Sequence, residues 1–304
     1  MLAIFFFNCY SIAMNFIEFN DVSFTYPAVE GDLDADGKPI EPRAVFEHFT
    51  AQFPSGFISL VGPNGSGKST FMLLASGRLV PTTGKVLMMG KDIAMMTGEA
   101  KNMRASVIYQ NMEFETEDKV RDLLTQVYRS GTLQGKASGI LGNDDLLKEV
   151  IEVFELEGVL DHTLTGISKG EIQRTLLAFS ILYGSTSVFM DEPLFAMEYP
   201  QKEKALSYLR DYCKKTGTTI YISMHELDLT KRFAEKVLLF YPNRDMSFGT
   251  PDEVLTDEDL EKAYGLPVEM LKKGEEYTRR DLTDTAKSIA DMNLLLKQQA
   301  QPVS

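Results

Sequence analysis

A stretch of nine residues, Gly62 to Thr70, has the composition of a loop that binds phosphate groups. Its glycines let consecutive backbone N–H groups turn inward around an anion, and its lysine can reach the outer phosphates. A strand-like run, Phe57–Val61, precedes the loop, and a helix-like run, Phe71–Ala75, follows it. Because a helix N-terminus attracts anions, we predict a nucleoside triphosphate as the ligand. The residues predicted to bind it are Gly62, Asn64, Gly65, Ser66, Gly67, Lys68, Ser69 and Thr70, and the Ser69 hydroxyl is also a predicted Mg²⁺ ligand.

Two adjacent carboxylates follow a short apolar strand. Val188–Met190 has the pattern of a buried strand, and Asp191 and Glu192 come directly after it. Ligands of open α/β sheets collect at the carboxyl ends of the strands. Asp191 is suited to hold Mg²⁺, directly or through water, and Glu192 is suited to polarise the water that attacks the γ-phosphate. An acidic turn without a catalytic role is the alternative interpretation.

A third motif begins a predicted helix. Ser168 and Glu171 have the spacing of a capping box, and the helix that they start would continue through Leu176, Leu177 and Phe179. A capped helix start exposes backbone N–H groups and a positive dipole end. Such a start could bind a phosphate group that belongs to another chain.

Composition restricts the class of protein. The chain has 304 residues, of which 44% are hydrophobic and 25% charged, so it can bury a substantial core. Its formal net charge of −13 repels nucleic acid, so we expect no nucleic-acid partner. The two cysteines, Cys9 and Cys213, are far apart and have no metal-ligand spacing, which favours the reducing cytoplasm. No stretch approaches 18 apolar residues, so we expect membrane contact only through a partner.

Extensions are predicted at the two ends of the chain. Residues 1–13 are apolar, carry no lysine or arginine and are too short to span a bilayer. We expect them to be an extension that the fold does not need, with Met14 as an alternative start. The main domain is predicted over residues 14–250, and residues 251–304 are predicted to form a C-terminal extension. This extension could pack on its own domain, join the dimer or regulate, and the sequence does not choose among these roles.

Alternating apolar and polar residues predict three antiparallel strands near the beginning of the main domain, at Phe16–Phe19, Val22–Tyr26 and Val45–Phe49. The segment Pro27–Arg43 between them is rich in Pro, Gly and Asp, and we interpret it as an exposed excursion. It contains half of a calcium-loop pattern, Asp32–Gly37. Because arginine stands where the pattern requires glutamate, a solvated acidic turn is the preferred interpretation.

From about residue 100 to residue 184 the apolar periodicity is helical. One predicted face carries Val120, Leu123, Leu124 and Val127, and another carries Leu146, Leu147, Val150, Ile151 and Phe154. Short apolar runs then return at Ser187–Met190, Thr219–Ser223 and Val237–Phe240. Such runs are typical of strands in a parallel sheet. We therefore predict a helical segment inserted into an α/β core.

Taken together, the motifs resemble those of the ATP-binding cassette (ABC) ATPase family. They occur in that family's order, with 23 residues from Ser168 to Asp191 and 34 from Asp191 to His225. The resemblance runs from about Phe16 to Gly249. It implies an α/β fold with a P-loop NTPase (RecA-like) core, an antiparallel β subdomain and an inserted α-helical subdomain.

The resemblance also implies roles for residues that are not distinctive alone. Tyr26 lies where the family has an aromatic ring that stacks on adenine. Gln110 corresponds to a glutamine that senses Mg²⁺ and the γ-phosphate and touches a membrane partner, and His225 to a histidine that contacts the γ-phosphate. Without the resemblance, a core tyrosine, a surface glutamine and a strand-end histidine are the ordinary interpretations. Ser168, Gly170 and Glu171 correspond to the family's signature, which meets the ATP of a second copy.

Three positions depart from the family's usual pattern. Lys169 replaces the signature's first glycine, Glu171 replaces its usual glutamine, and Glu198 stands where an aspartate is usual. Gly170 is retained. The groups expected to meet phosphate are therefore present, and the departures bear on turnover more than on nucleotide binding.

The function that the resemblance implies is ATP hydrolysis by the nucleotide-binding subunit of an ABC transporter. The cofactor set is ATP with Mg²⁺, and the partners are a second ATPase copy or paired subunit and a separate transmembrane permease. The chain would lie in the cytoplasm, at the inner face of the membrane. The alternative is a soluble ABC-type ATPase that clamps or remodels a protein assembly without transport.

Overall fold

The computed structural model describes residues 16–27, 44–110, 112 and 114–271. The strands are β1 (Ile17–Thr25), β2 (Ala44–Phe53), β3 (Phe57–Val61), β4 (Thr83–Met88), β5 (Lys91–Asp92), β6 (Ala105–Ile108), β7 (Ser187–Met190), β8 (Thr219–Ser223), β9 (Lys236–Phe240) and β10 (Met246–Gly249). The α-helices are α1 (Lys68–Ala75), α2 (Gly98–Arg104), α3 (Val120–Ser130), α4 (Leu146–Val153), α5 (Lys169–Tyr183), α6 (Tyr199–Thr216), α7 (Leu227–Phe233), α8 (Pro251–Val254) and α9 (Asp257–Tyr264).

The described residues divide into two compact units. The smaller unit draws on the ranges Met1–Ser55 and Leu73–Thr97, and the larger unit on Gly56–Met72 and Gly98–Ser304. The predicted boundaries at residues 14, 250 and 251 stay predictions. The predicted extension 1–13, the calcium-like pattern within the excursion and most of the predicted C-terminal extension fall outside the described residues.

The smaller unit contains a four-stranded antiparallel sheet in the order β2-β1-β4-β5. The expected antiparallel pairing is therefore confirmed, but the two short strands expected near its start form one strand, β1. An irregularity between Phe19 and Val22 joins them, with Asp21 in the left-handed region at φ 52°. The Asp21 N–H donates to the Thr50 hydroxyl at 3.0 Å, so the polar residues at the irregularity are accommodated without ending the strand.

The larger unit contains a six-stranded sheet in the order β10-β9-β3-β8-β7-β6. Strands β9, β3, β8, β7 and β6 are parallel, and β10 is antiparallel to β9. The three apolar runs predicted for a parallel sheet are strands β7, β8 and β9. The segment predicted as helical from about residue 100 also contains a strand, because Ala105–Ile108 pairs with β7 at one edge of the sheet.

The helical segment buries the faces that its periodicity predicts. Val120 and Leu124 of α3 and Val150 of α4 are fully buried. Leu123 and Ile151, on the same predicted faces, are partly buried against the same core. Apolar spacing therefore determines how these helices pack. None of the helices within the described ranges has the length and apolar character needed to cross a bilayer.

The parallel strands end at one edge of the large sheet. Ile108 lies opposite Met190, Met190 opposite Ile222, and Leu60 opposite Ser223. The segments that leave β3, β6, β7 and β8 therefore begin side by side. In an open α/β sheet this is where ligands bind.

Candidate functional site

The loop between β3 and α1 has the backbone of an anion-binding turn. Gly62, Gly65 and Gly67 have φ values of 143°, 76° and 106°, in the region that favours glycine. A Cβ atom on Gly62 would also lie 2.6 Å from the Phe240 carbonyl oxygen. The glycine spacing seen in the sequence is thus required by the turn itself. Asn64 and Gly65 are exposed at its tip.

Lys68 is the buried cation of this loop. Lys68 is the first residue of α1 and is 6% exposed. Its ammonium donates to the carbonyl oxygens of Gly62 at 2.7 Å and Pro63 at 2.9 Å. Burial lowers the pKa of Lys68, while the carboxylates of Glu192 and Asp191 act in the opposite direction. Lys68 therefore lies within electrostatic reach of both carboxylates predicted for the site.

The loop also holds a polar atom that has no partner within the described part of the chain. The hydroxyl oxygen of Ser66 is buried and makes no hydrogen bond there. A buried hydroxyl without a partner is costly, so it marks a place for a ligand atom. With the inward-turning loop and buried Lys68, Ser66 fits a bound phosphate. Thr70 is buried in α1, and Ser69 is an exposed residue at the start of the same helix.

Ser223, at the end of β8, holds the two adjacent carboxylates. Its hydroxyl donates to Asp191 Oδ1 at 2.7 Å and accepts from the Glu192 backbone N–H at 2.8 Å. Glu192 itself has φ 49°, a left-handed conformation that costs free energy in a residue with a side chain. No role was predicted for Ser223. The available signal was a hydroxyl residue ending an apolar strand.

Three predicted catalytic residues meet at the Glu192 carboxylate, whose side chain is 11% exposed. His225 Nε2 lies 2.7 Å from Oε1, and Gln110 Nε2 donates to Oε2 at 2.8 Å. The hydrogen bond to His225 is the largest cause of a lowered pKa at Glu192, and burial opposes it. That same hydrogen bond raises the pKa of His225, again against the effect of burial. The carboxylate is therefore held as an anion.

We predict that the titration of His225 depends on Glu192. In the nucleotide-free chain, the midpoint should lie above the ordinary value of about 6.5 and should fall in Glu192→Gln, because the charged partner is lost. The stabilisation from protonated His225 is present below its ordinary pKa and is lost as pH rises through the raised pKa. Histidine ring resonances in NMR, assigned with His225→Asn, measure both midpoints. Equal midpoints in the two proteins would contradict the pairing.

The three residues predicted to hold Mg²⁺ offer only oxygen atoms to a metal. They are Asp191 with its carboxylate, Ser69 with its hydroxyl and Gln110 with its amide oxygen. Within the described ranges, no three His, Cys, Asp or Glu side chains form a metal-binding cluster. Mg²⁺ commonly uses one or two carboxylates together with substrate phosphates. This donor set therefore fits a magnesium ion that shares its coordination with a nucleotide.

The start of α5 is exposed and capped as predicted. The Ser168 N–H donates to the Glu171 carboxylate at 2.8 Å, and the Glu171 N–H donates to the Ser168 hydroxyl at 3.3 Å. The Ser168 hydroxyl also donates to Glu171, and this hydrogen bond lowers the pKa of Glu171. A Cβ atom on Gly170 would lie 2.6 Å from the Ala196 carbonyl oxygen. The missing side chain at Gly170 therefore lets the segment after Glu192 approach the helix.

Tyr26 lies in the smaller unit, just after β1. The residue is 43% exposed, and its ring packs edge-on against Phe24, with 4.9 Å between the ring centroids. An exposed aromatic ring is suited to stacking. The role of Tyr26 with adenine stays a prediction, as do the individual roles of the other site residues.

Comparison with known proteins gives concordant matches. A family model described as ABC transporter matches residues 49–195. The chain is 28% identical over 220 residues to the hemin import ATP-binding protein HmuV of Rhizobium meliloti (strain 1021). The aligned region covers 70% of this chain and 82% of that protein. It is 31% identical over 249 residues to an Archaeoglobus fulgidus protein named "Putative ABC transporter ATP-binding protein", covering 81% of this chain and 96% of that one.

A solved structure has the same fold. It is a dimeric ATP-binding cassette in a post-hydrolysis state bound to ADP and Pi. The two chains superimpose with a TM-score of 0.60 at 20% identity, covering 74% of this chain and 94% of the other. The predicted α/β cassette architecture is therefore confirmed.

Proposed function

The chain belongs to the ATP-binding cassette transporter family of ATP-binding proteins, and on that premise we propose that it hydrolyses ATP to energise transport through a separate membrane permease. The observation that carries the proposal is the convergence of Lys68, Asp191, Glu192, Gln110 and His225 at one edge of the large sheet. These side chains come from four segments of the chain. Their joint placement matches the needs of phosphoryl transfer to water.

The loop after β3 would hold the phosphates of ATP. The backbone N–H groups and the Ser66 hydroxyl would bind phosphate oxygens, and Lys68 would exchange its carbonyl partners for them. Its pKa is lowered by burial, yet the two nearby carboxylates favour its charged form. A charged donor forms the stronger hydrogen bonds to phosphate. Tyr26 would stack on the adenine base.

Glu192 would orient and polarise the attacking water. Its lowered pKa keeps the carboxylate ionised and thus able to accept a hydrogen bond from water. Gln110 and His225 hydrogen-bond its two oxygens, and each would also contact the γ-phosphate. Mg²⁺, held by Ser69, Asp191 and Gln110, would neutralise charge that develops on the phosphate oxygens.

A second copy of the chain would complete each site. Ser168 and Gly170 lie at the exposed start of α5, and the helix dipole there favours an anion. One copy carries one phosphate-binding loop and one such helix start, so two copies facing each other would form two sites. The γ-phosphate would hold the pair together, and its hydrolysis would release it.

Transport is the preferred output because one of the two relatives described above is named for hemin import and the other as an ABC transporter ATP-binding protein. The permease would contact the chain near Gln110, where Tyr109 is 41% exposed. The chain would then lie at the cytoplasmic face of the membrane. The alternative, a soluble ATPase that remodels a protein assembly, lacks an observation that favours it.

Purification from native membranes tests the choice between these outputs. We expect a tagged chain to be recovered from detergent-solubilised membranes in a stoichiometric complex with an integral membrane protein. ATPase activity of that complex should respond to a transported solute when the complex is placed in vesicles. Recovery of an active ATPase only with soluble partners would contradict the transporter proposal and favour the alternative.

A further inference from the structure

Two contacts join the beginnings of helices α6 and α7. The Lys202 ammonium donates to Glu226 Oε1, and the Tyr199 hydroxyl donates to Asp228 Oδ2 at 2.5 Å. Tyr199 and Lys202 lie in the first turn of α6. Glu226 and Asp228 lie at the start of α7. Two residues of one helix therefore hold two acids of the other.

Lys202 is buried to an unusual degree for a lysine. Its residue is 5% exposed, and among the lysines of the described ranges only Lys68 is comparably buried. A buried ammonium is costly unless it is paired with a charge. Glu226, with a side chain 26% exposed, supplies that charge. The pair is thus a specific contact in a fixed place, unlike a solvated surface ion pair.

The position of Glu226 links this contact to the catalytic residues. Glu226 directly follows His225 and precedes the first residue of α7. Its side chain does not cap that helix, so the ion pair with Lys202 is what anchors it. Fixing Glu226 fixes the backbone of its neighbour His225. His225 in turn holds the Glu192 carboxylate at 2.7 Å.

We propose that Lys202 is a positioning residue for ATP hydrolysis, acting through Glu226 to hold His225 against Glu192. The inference rests on the proposed function and adds a residue to it. Within the described residues, the hydrogen bond and the ion pair of the Lys202 ammonium both go to Glu226, and neither goes to Glu192 or the phosphate-binding loop. Its effect therefore depends on His225, and this dependence separates positioning from a general contribution to stability.

The same two helices provide a matched control. Arg232 near the end of α7 pairs with Glu203 of α6, and their side chains are 54% and 34% exposed. This ion pair also joins α6 to α7, but it lies about two helical turns beyond His225 along α7. Arg232→Met should therefore leave the ATPase rate unchanged.

The test measures steady-state ATP hydrolysis in the full-length chain. Lys202→Met with Glu226→Gln removes both charges, so that neither is left buried alone. We expect kcat to fall by about ten- to a hundredfold, the scale of a small misplacement of catalytic groups, with KM for ATP nearly unchanged. Lys202→Arg should restore most of the rate, because it keeps the ion pair. Glu226→Asp, which keeps the charge but shortens the reach, should give an intermediate kcat and provides a second variant if the neutral pair does not fold.

A double-mutant cycle with His225→Ala decides between positioning and stability. If Lys202 acts through His225, the neutral pair should cause no further loss of kcat in the His225→Ala background. An equal fractional loss in both backgrounds, or an unchanged kcat in the neutral pair and in Glu226→Asp, would overturn the inference. Failure of the proposed function would instead appear as absence of ATPase activity in the unmodified chain.

Discussion

Glu192→Gln is expected to slow ATP hydrolysis by roughly 10²- to 10⁴-fold while ATP binding is retained. The amide keeps the size of the carboxylate but cannot accept a proton or hold water as an anion does. The hydrogen bond from Gln110 can persist, so the surrounding residues should stay in place. Phosphate release at saturating ATP measures the rate, and equilibrium binding of a labelled ATP analogue measures the affinity.

Glu157→Gln is the matched control for this substitution. Glu157 is exposed in a short 3-10 helix, Glu157–Val159, well separated in sequence from the catalytic segments. Its change should leave phosphate release as it is in the unmodified chain. An unchanged steady-state rate in Glu192→Gln would contradict the assignment of this carboxylate as the group that activates water.

Lys68→Ala is expected to abolish ATP binding. The substitution removes the one cation that is buried in the loop, and with it the charged donors to the outer phosphates. It also leaves the Gly62 and Pro63 carbonyl oxygens without that donor, so thermal unfolding should be recorded beside binding. Fluorescence anisotropy of a labelled ATP analogue is the measurement.

Lys148→Ala serves as the comparison for Lys68→Ala. Lys148 is exposed on α4, so its loss tests the general effect of removing one positive charge from an acidic chain. We expect normal affinity there. Full affinity in Lys68→Ala would show that the loop does not bind the phosphates.

The sequence was most informative where the chemistry is local. The phosphate-binding loop needs glycines at fixed positions, and Gly62, Gly65 and Gly67 do have the positive φ values that explain them. The capping box at Ser168 and Glu171 is also local and is present. The end of a predicted strand also indicated that Asp191 and Glu192 would lie where ligands bind, whereas the role of His225 was implied only by the family resemblance.

Contacts between distant residues could not be predicted in this way. Gln110 and Glu192 are 82 residues apart, and Lys202 and Glu226 are 24 apart. The first pairing depends on β6 lying beside β7, and the second depends on how α6 and α7 pack together. Neither polar side chain in such a pair shows its partner in its local pattern. Ser223 was missed for the same reason, because its two hydrogen bonds go to a neighbouring strand end.

The irregularity in β1 shows the limit of reading periodicity alone. The polar residues Asn20 and Asp21 interrupt the alternation, which led us to expect two strands. In the structure, Asp21 takes a left-handed conformation and the strand continues beyond it. A bulge and a turn have similar local composition, and the pairing with β2 and β4 decides between them.

In the proposed mechanism, the phosphate-binding loop and catalytic carboxylate of one copy act with Ser168 of a second copy on the same ATP. The most direct test is the mass of the Glu192→Gln chain in sedimentation, with and without ATP and Mg²⁺, because slow hydrolysis should preserve the ATP-bound pair. We predict one chain without nucleotide and two chains with it, and a single chain when Ser168→Arg is added. A single chain under all conditions, or a pair whose formation ignores both ATP and the Ser168 substitution, would contradict the account.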